Sequence, residues 1–289
     1  MKRVLQERWL NYFLLMRLDR PVGIYLLLWP CMWALWIAAE GMPGALNLIV
    51  FIIGVILMRS AGCVINDYAD RDLDPHVERT KQRPIACGLV SKEEALMLAG
   101  GLAVLAFLMV LLLNPLTIYL SFVGVLLAAI YPYMKRHTHM PQVFLGLAFG
   151  WGVPMAFAAE SNIVPPMAWL LLAATVVWAT AYDTIYAMMD RKDDVKVGIR
   201  STAILFGTAD KIIIGVLQAI VLLILFLIGG RLELGGYYHL ALLIGAGLMV
   251  YQQYLIRHRD EAGCMKAFKN NHWFGLVVFL GLAMHYALA

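Results

Sequence analysis

The sequence predicts an all-α integral membrane protein, with about nine transmembrane helices bundled around a central cavity and the N-terminus cytoplasmic. Three observations predict this. First, 62% of the 289 residues are hydrophobic and only 15% are charged, with a mean hydropathy of +0.75. A soluble domain is nearer half apolar and a quarter charged. Second, the apolar runs are about twenty residues long and lack the two-residue alternation of a barrel strand, so helices span the bilayer. Third, the basic residues gather on alternate connectors.

Taken in order, the expected spans are 21–39, 45–64, 95–113, 116–133, 142–158, 165–187, 211–229, 235–256 and 271–288. The connectors at 40–45, 114–115, 160–166 and 229–236 are short and nearly uncharged. The others are polar and basic. They and the N-terminal tail carry 22 of the 23 Lys and Arg, all but Arg231. The positive-inside rule makes their side cytoplasmic, with the N-terminus in and the C-terminus out.

Local signals fit these spans. Ser91 and Glu94 form a capping box at the entry to the third. Gly146 and Gly150 make a small-xxx-small pattern in the fifth, suited to close helix packing. Pro30, Pro132 and Pro154 lie in or near spans, where a missing N–H can kink a helix and open a cavity. The chain reads as one membrane-embedded domain, 1–289. A weak echo between the segments starting at Arg83 and Thr202 suggests a parallel repeat of two four-helix units plus a ninth helix.

Several classes are excluded. Cys31, Cys63, Cys87 and Cys264 form no CxxC pair, so neither a disulfide framework nor a zinc site is expected. No HExxH motif accompanies the seven histidines. The first apolar run is too long for a signal peptide, and Glu7 and Asp19 disfavour a transit peptide, so a bacterial inner membrane is the expected location. The partners expected are lipid and a small substrate, and no nucleic acid.

The chemistry lies in two acidic clusters. Residues 66–74 place Asn66, Asp67, Asp70, Asp72 and Asp74 directly after an apolar run. On a continuous helix Asn66, Asp70 and Asp74 would share one face. Asp183, Asp190, Asp193 and Asp194 recur in a similar setting. Crowded carboxylates beside a membrane call for a cation, and magnesium characteristically binds through a few carboxylates plus substrate phosphates. Arg59, Arg79, Lys81, Arg83, Lys135, Lys192 and Arg200 are interleaved with the acids. Cations would repel a bare metal but suit a metal-bridged diphosphate. A solvated loop without ligand is the bland alternative, and the two clusters at equivalent span ends argue against it. Aromatic residues near the cytoplasmic ends include Tyr131 and Tyr186, either as packing groups or as faces for a cation.

The run from Asn66 through Asp70 to Asp74 resembles the NDxxDxxxD signature of the UbiA superfamily of intramembrane prenyltransferases. Asp183 to Asp194 resembles its second aspartate-rich motif, although Tyr186 stands where that pattern has its middle acid. Arg59, the Arg79–Pro84 run and the segment from Tyr131 to Arg136 are also similar. Leu26 to Pro30, Tyr182 to Asp190 and Arg200 to Gly207 resemble the 4-hydroxybenzoate polyprenyltransferase branch.

The resemblance implies Mg2+-dependent transfer of a polyprenyl group from polyprenyl diphosphate to 4-hydroxybenzoate in ubiquinone biosynthesis. It implies metal ligands among Asp70, Asp74, Asp183, Asp190 and Asp194. Asn66, Arg59, Arg79, Arg83 and Lys135 would meet the diphosphate. Tyr131 would face the allylic cation, and Arg136, with Arg17 as the weaker candidate, would hold the acceptor carboxylate. Another aromatic acceptor, haem or a naphthoate, is the nearer rival. Transport of a phosphorylated lipid is the more distant one, since the spans carry almost no charge near the bilayer midplane.

Overall fold

The computed structural model describes the backbone of residues 2–77, 79–196 and 198–288, with side chains from residue 8 onward. Lys2 and Arg3, counted among the basic residues above, lie outside the described side chains. Among the described residues the chain is helical and contains no strand. The helices are α1 (Lys2–Leu15), α2 (Val22–Ala38), α3 (Ala45–Asp70), α4 (Lys92–Val110), α5 (Pro115–His137) and α6 (Pro141–Gly150). They continue with α7 (Gly152–Ser161), α8 (Pro166–Lys196), α9 (Thr202–Phe206), α10 (Asp210–Arg231), α11 (Gly236–Leu255) and α12 (Glu261–Leu288).

Among the described residues, eight helical stretches are long and apolar enough to cross a membrane, and they coincide with expected spans two to nine. The first expected span is α2, which at 17 residues is shorter than these eight. The ends follow local chemistry. The Ser91 side chain accepts from the Glu94 N–H at 3.1 Å, and the Glu94 carboxylate accepts from the Ser91 N–H at 2.9 Å, completing the expected capping box. Asn114 caps α5, with Pro115 in its first turn. The fifth span breaks at Trp151 between α6 and α7. Pro154 offers no N–H to the Gly150 carbonyl and its ring crowds that oxygen, which accounts for the break.

The bundle closes where small residues let helices approach. A Cβ on Gly146 would stand 3.0 Å from the Val176 carbonyl oxygen, so α6 lies directly against the α8 backbone. In the core, the Trp33 and Trp178 rings stack at 5.4 Å. Trp33 Nε1 donates to the Gly275 carbonyl at 3.0 Å, and Trp178 Nε1 donates to Asn271 Oδ1 at 2.9 Å. Both indoles thereby tie α2 and α8 to α12, with each N–H satisfied inside an apolar layer.

Two boundaries differ from expectation, and both bear on the acids. Helix α3 stops at Asp70, so Asp74 is not on the same helix as Asn66 and Asp70. The chain turns through 71–73 and Asp74 opens a short 3-10 turn. Pro75 explains this: its ring disfavours α geometry at the preceding residue, and it has no N–H to extend the helix. By contrast, α8 runs unbroken to Lys196, so its acidic cluster sits on the helix rather than in a loop.

Candidate active site

The C-terminal part of α3, the turn after it and the C-terminal part of α8 face one cavity of about 740 Å³. Seven carboxylates line it: Asp19, Asp67, Asp70, Asp74, Asp183, Asp190 and Asp194. Arg59, Arg79, Arg83 and Lys135 enter from α3, the following loop and α5, and Tyr131, Tyr182 and Tyr186 add aromatic faces. Two motifs more than a hundred residues apart are thus brought together, and Asn66 stands among them.

The carboxylates are held largely by cations. Arg83 Nη1 lies 2.9 Å from Asp74 Oδ2 and 3.0 Å from Asp67 Oδ1. Lys135 pairs with Asp70, and Arg79 pairs with Asp190 while its guanidinium lies 4.3 Å from the Tyr186 ring centroid. Asn66 Nδ2 donates to Asp70 Oδ2 at 3.2 Å. Asp67 is 1% exposed and clamped on its other side by Arg17 at 2.9 Å. Its oxygens are committed to two guanidiniums.

Asp74 differs electrostatically from an exposed aspartate. Burial pushes its carboxyl up to about 6, and the neighbouring Arg83 offsets only part of that. Proximity of like charges, Asp70 and Asp67, adds to the rise.

Among the described residues no three Asp, Glu, His or Cys side chains converge tightly enough to hold a metal ion. The donor set nevertheless suits one. Asp70 Oδ1 is buried with no hydrogen-bond partner. Asp183 and Asp194 line the cavity and form no ion pair among the described residues. Carboxylate oxygens without partners, within reach of both motifs, are what a hard divalent cation takes.

One expected site residue is misplaced and one was underrated. Arg136 does not line the cavity. It is exposed, and its guanidinium turns back to the Ala69 carbonyl at the end of α3, capping orphan helix acceptors. Arg17, the weaker candidate, does line the cavity. Its backbone has φ +58°, a left-handed turn between α1 and α2 that aims its side chain at Asp67. Nothing in the local sequence marks that turn. Lys269 and His272 of α12 also line the cavity and carried no sequence signal.

The UbiA prenyltransferase family pattern matches residues 27–278. The chain belongs to the UbiA prenyltransferase family. Its relatives within that family include the 4-hydroxybenzoate octaprenyltransferase of Nitrosococcus oceani, 60% identical over 99% of this chain and 100% of that protein. The protein of the same name from Coxiella burnetii is 54% identical over 98% of each chain. Among solved structures, a UbiA homolog from Aeropyrum pernix K1 superposes with a TM-score of 0.79 at 24% identity, covering 89% of this chain and 96% of that one. A UbiA homolog from Archaeoglobus fulgidus bound to GPP and Mg2+ gives 0.70 at 14% identity, covering 94% and 99%. These two structures show a shared UbiA fold.

Proposed function

We propose that this protein transfers a polyprenyl group from polyprenyl diphosphate to 4-hydroxybenzoate, at the ring carbon ortho to the hydroxyl, releasing diphosphate in ubiquinone biosynthesis. The carrying observation is the convergence of both acidic motifs and five interleaved cations, Arg59, Arg79, Arg83, Lys135 and Arg200, on one cavity at the end of an apolar bundle. The acceptor follows from relatives at 54–60% identity that bear that activity in their names. The UbiA homolog bound to GPP and Mg2+ supports the choice of metal and donor.

In this reading Asp70, Asp74, Asp190 and Asp194, with Asp183, hold Mg2+ against the diphosphate. The metal supplies Lewis acidity, neutralising the leaving group. Arg59, Arg79, Arg83, Lys135 and Asn66 cover the remaining phosphate oxygens and leave their present partners to do so. The bond from the allylic carbon to the diphosphate oxygen breaks, and both electrons leave with the diphosphate. Tyr131 presents its ring to the allylic cation. The bundle keeps water from that cation. The ring carbon of the acceptor forms the new C–C bond, and loss of its proton restores aromaticity. With Arg136 turned away from the cavity, Arg17 becomes the better candidate for the acceptor carboxylate.

The basic connectors orient the protein with nine crossings, the N-terminus and both acidic motifs on the cytoplasmic side of a bacterial inner membrane. The two motif helices, α3 and α8, both deliver acids from their C-terminal ends, in keeping with two parallel four-helix units and an added helix within one domain. Purified protein in detergent, given Mg2+, labelled polyprenyl diphosphate and 4-hydroxybenzoate, tests the reading. Prenylated acid and free diphosphate in equal amounts are expected, and neither without the metal. A C-terminal reporter found in the cytoplasm would overturn the nine-crossing topology.

A further inference from the structure

A second cavity, of about 150 Å³, lies deeper in the bundle between α2, α3, α4, α5 and the α6–α7 break. Arg59, Tyr131 and Phe149 line both cavities and form a neck between them. The Phe149 centroid lies 6.5 Å from that of Tyr131 and 5.9 Å from the Arg59 guanidinium carbon.

Beyond the neck the second cavity offers a ligand almost no polarity. Ser121 Oγ donates to the Ile118 carbonyl at 2.7 Å, and Trp151 Nε1 donates to the Leu120 carbonyl at 2.8 Å. Tyr131 Oη donates to the Gly62 carbonyl at 3.4 Å. The polar atom left without a partner is Arg59 Nε, buried at the neck beside the acidic cavity. A space lined this way stays dry and favours hydrocarbon. Its polar end is the end that adjoins the expected diphosphate site.

One wall is built from glycine. Gly62 and Gly54 of α3 both line this cavity. Eight residues apart, they are separated by about 12 Å along the helix axis, Gly62 near the neck and Gly54 deeper. A Cβ on Gly62 would meet only Tyr131 Oη, at 3.8 Å, and a Cβ on Gly54 would meet nothing within 4 Å. The first carbon of a side chain at either position therefore displaces no neighbouring atom.

We infer that Gly62 and Gly54, on one wall of this apolar cavity, govern how far the isoprenoid chain of the donor can enter it. This rests on the proposed polyprenyl transfer. The register of the two glycines makes it specific. Bulk at Gly62 obstructs even a short chain, whereas bulk at Gly54 obstructs only chains long enough to reach it.

The test measures kcat/KM for geranyl, farnesyl and geranylgeranyl diphosphate with 4-hydroxybenzoate in detergent-purified Gly54→Leu, Gly54→Val and Gly62→Leu proteins. Gly100→Leu is the control, since Gly100 lies on exposed α4 surface away from both cavities. Gly54→Leu should lower farnesyl and geranylgeranyl transfer by roughly tenfold or more and leave geranyl transfer within about twofold, with Gly54→Val weaker in the same order. Gly62→Leu should lower all three. Equal effects on every chain length in both Gly54 variants, including complete loss, would overturn the inference, as would no effect. Failure of the wild-type protein to transfer any chain would instead refute the function on which it rests.

Discussion

Arg83 donates to both oxygens of Asp74, at 3.1 and 2.9 Å. The same guanidinium lies 3.0 Å from Asp67. One cation therefore links two carboxylates of the first motif, of which Asp67 is held by Arg17 as well. This arrangement separates acids that serve the reaction from an acid that serves the scaffold, and each group makes a different prediction.

The cavity acids should be needed for turnover and dispensable for insertion. Asp70→Asn and Asp190→Asn are expected to abolish prenyl transfer and weaken Mg2+ binding while the proteins still reach the membrane. Purified variants assayed for transfer and titrated with Mg2+ check this. Wild-type turnover in either would remove that residue from the mechanism.

Asp67 should behave in the opposite way. It is almost fully buried between Arg17 and Arg83, and breaking a buried ion network from one side costs about 3–5 kcal/mol. Asp67→Ala should therefore lower the melting temperature in detergent well beyond Asp72→Ala, whose parent side chain is 71% exposed. Equal melting temperatures would contradict the scaffold role.

Magnesium binding should depend on pH near the Asp74 value. That carboxyl sits at about 6 against an ordinary 3.8, chiefly through burial. The fold holds the proton more tightly than the unfolded chain does, so this group's contribution to stability without metal declines as pH rises from 3.8 to about 6. Metal needs the ionised form, so the proton competes below about 6. Calorimetric titration should show Mg2+ affinity falling as pH drops from 7 to 5, and a flatter profile in Asp74→Asn. Affinity independent of pH in the wild type would contradict this.

The Trp178–Asn271 bond predicts a stability effect remote from the chemistry. Asn271→Ala leaves the buried indole N–H of Trp178 without its partner at 2.9 Å, a loss of about 1–3 kcal/mol. Thermal unfolding in detergent should show a lowered midpoint with KM for the donor unchanged.

Much of this site was legible in the sequence because the relevant signals are local. Apolar run length placed the helices, and Asp, Arg and Lys spacing marked the acids and cations that line the cavity. What was not legible depends on backbone direction. Proline chemistry at Pro75 ends the helical face on which Asn66, Asp70 and Asp74 were aligned. Arg136 follows Lys135 directly, yet one residue of helix rotates a side chain by about 100°, enough to turn it from the cavity to the end of α3. Arg17 depends on a left-handed turn that its neighbours do not announce. The apolar cavity arises from five helices, so no single stretch of sequence carries it.

The most direct test of the central claim is transfer measured with purified protein, Mg2+, one labelled polyprenyl diphosphate and a panel of aromatic acids in competition. The account predicts that 4-hydroxybenzoate is prenylated ortho to its hydroxyl and outcompetes naphthoates. Prenylation of a different acceptor in preference, or no release of diphosphate with any, would contradict it.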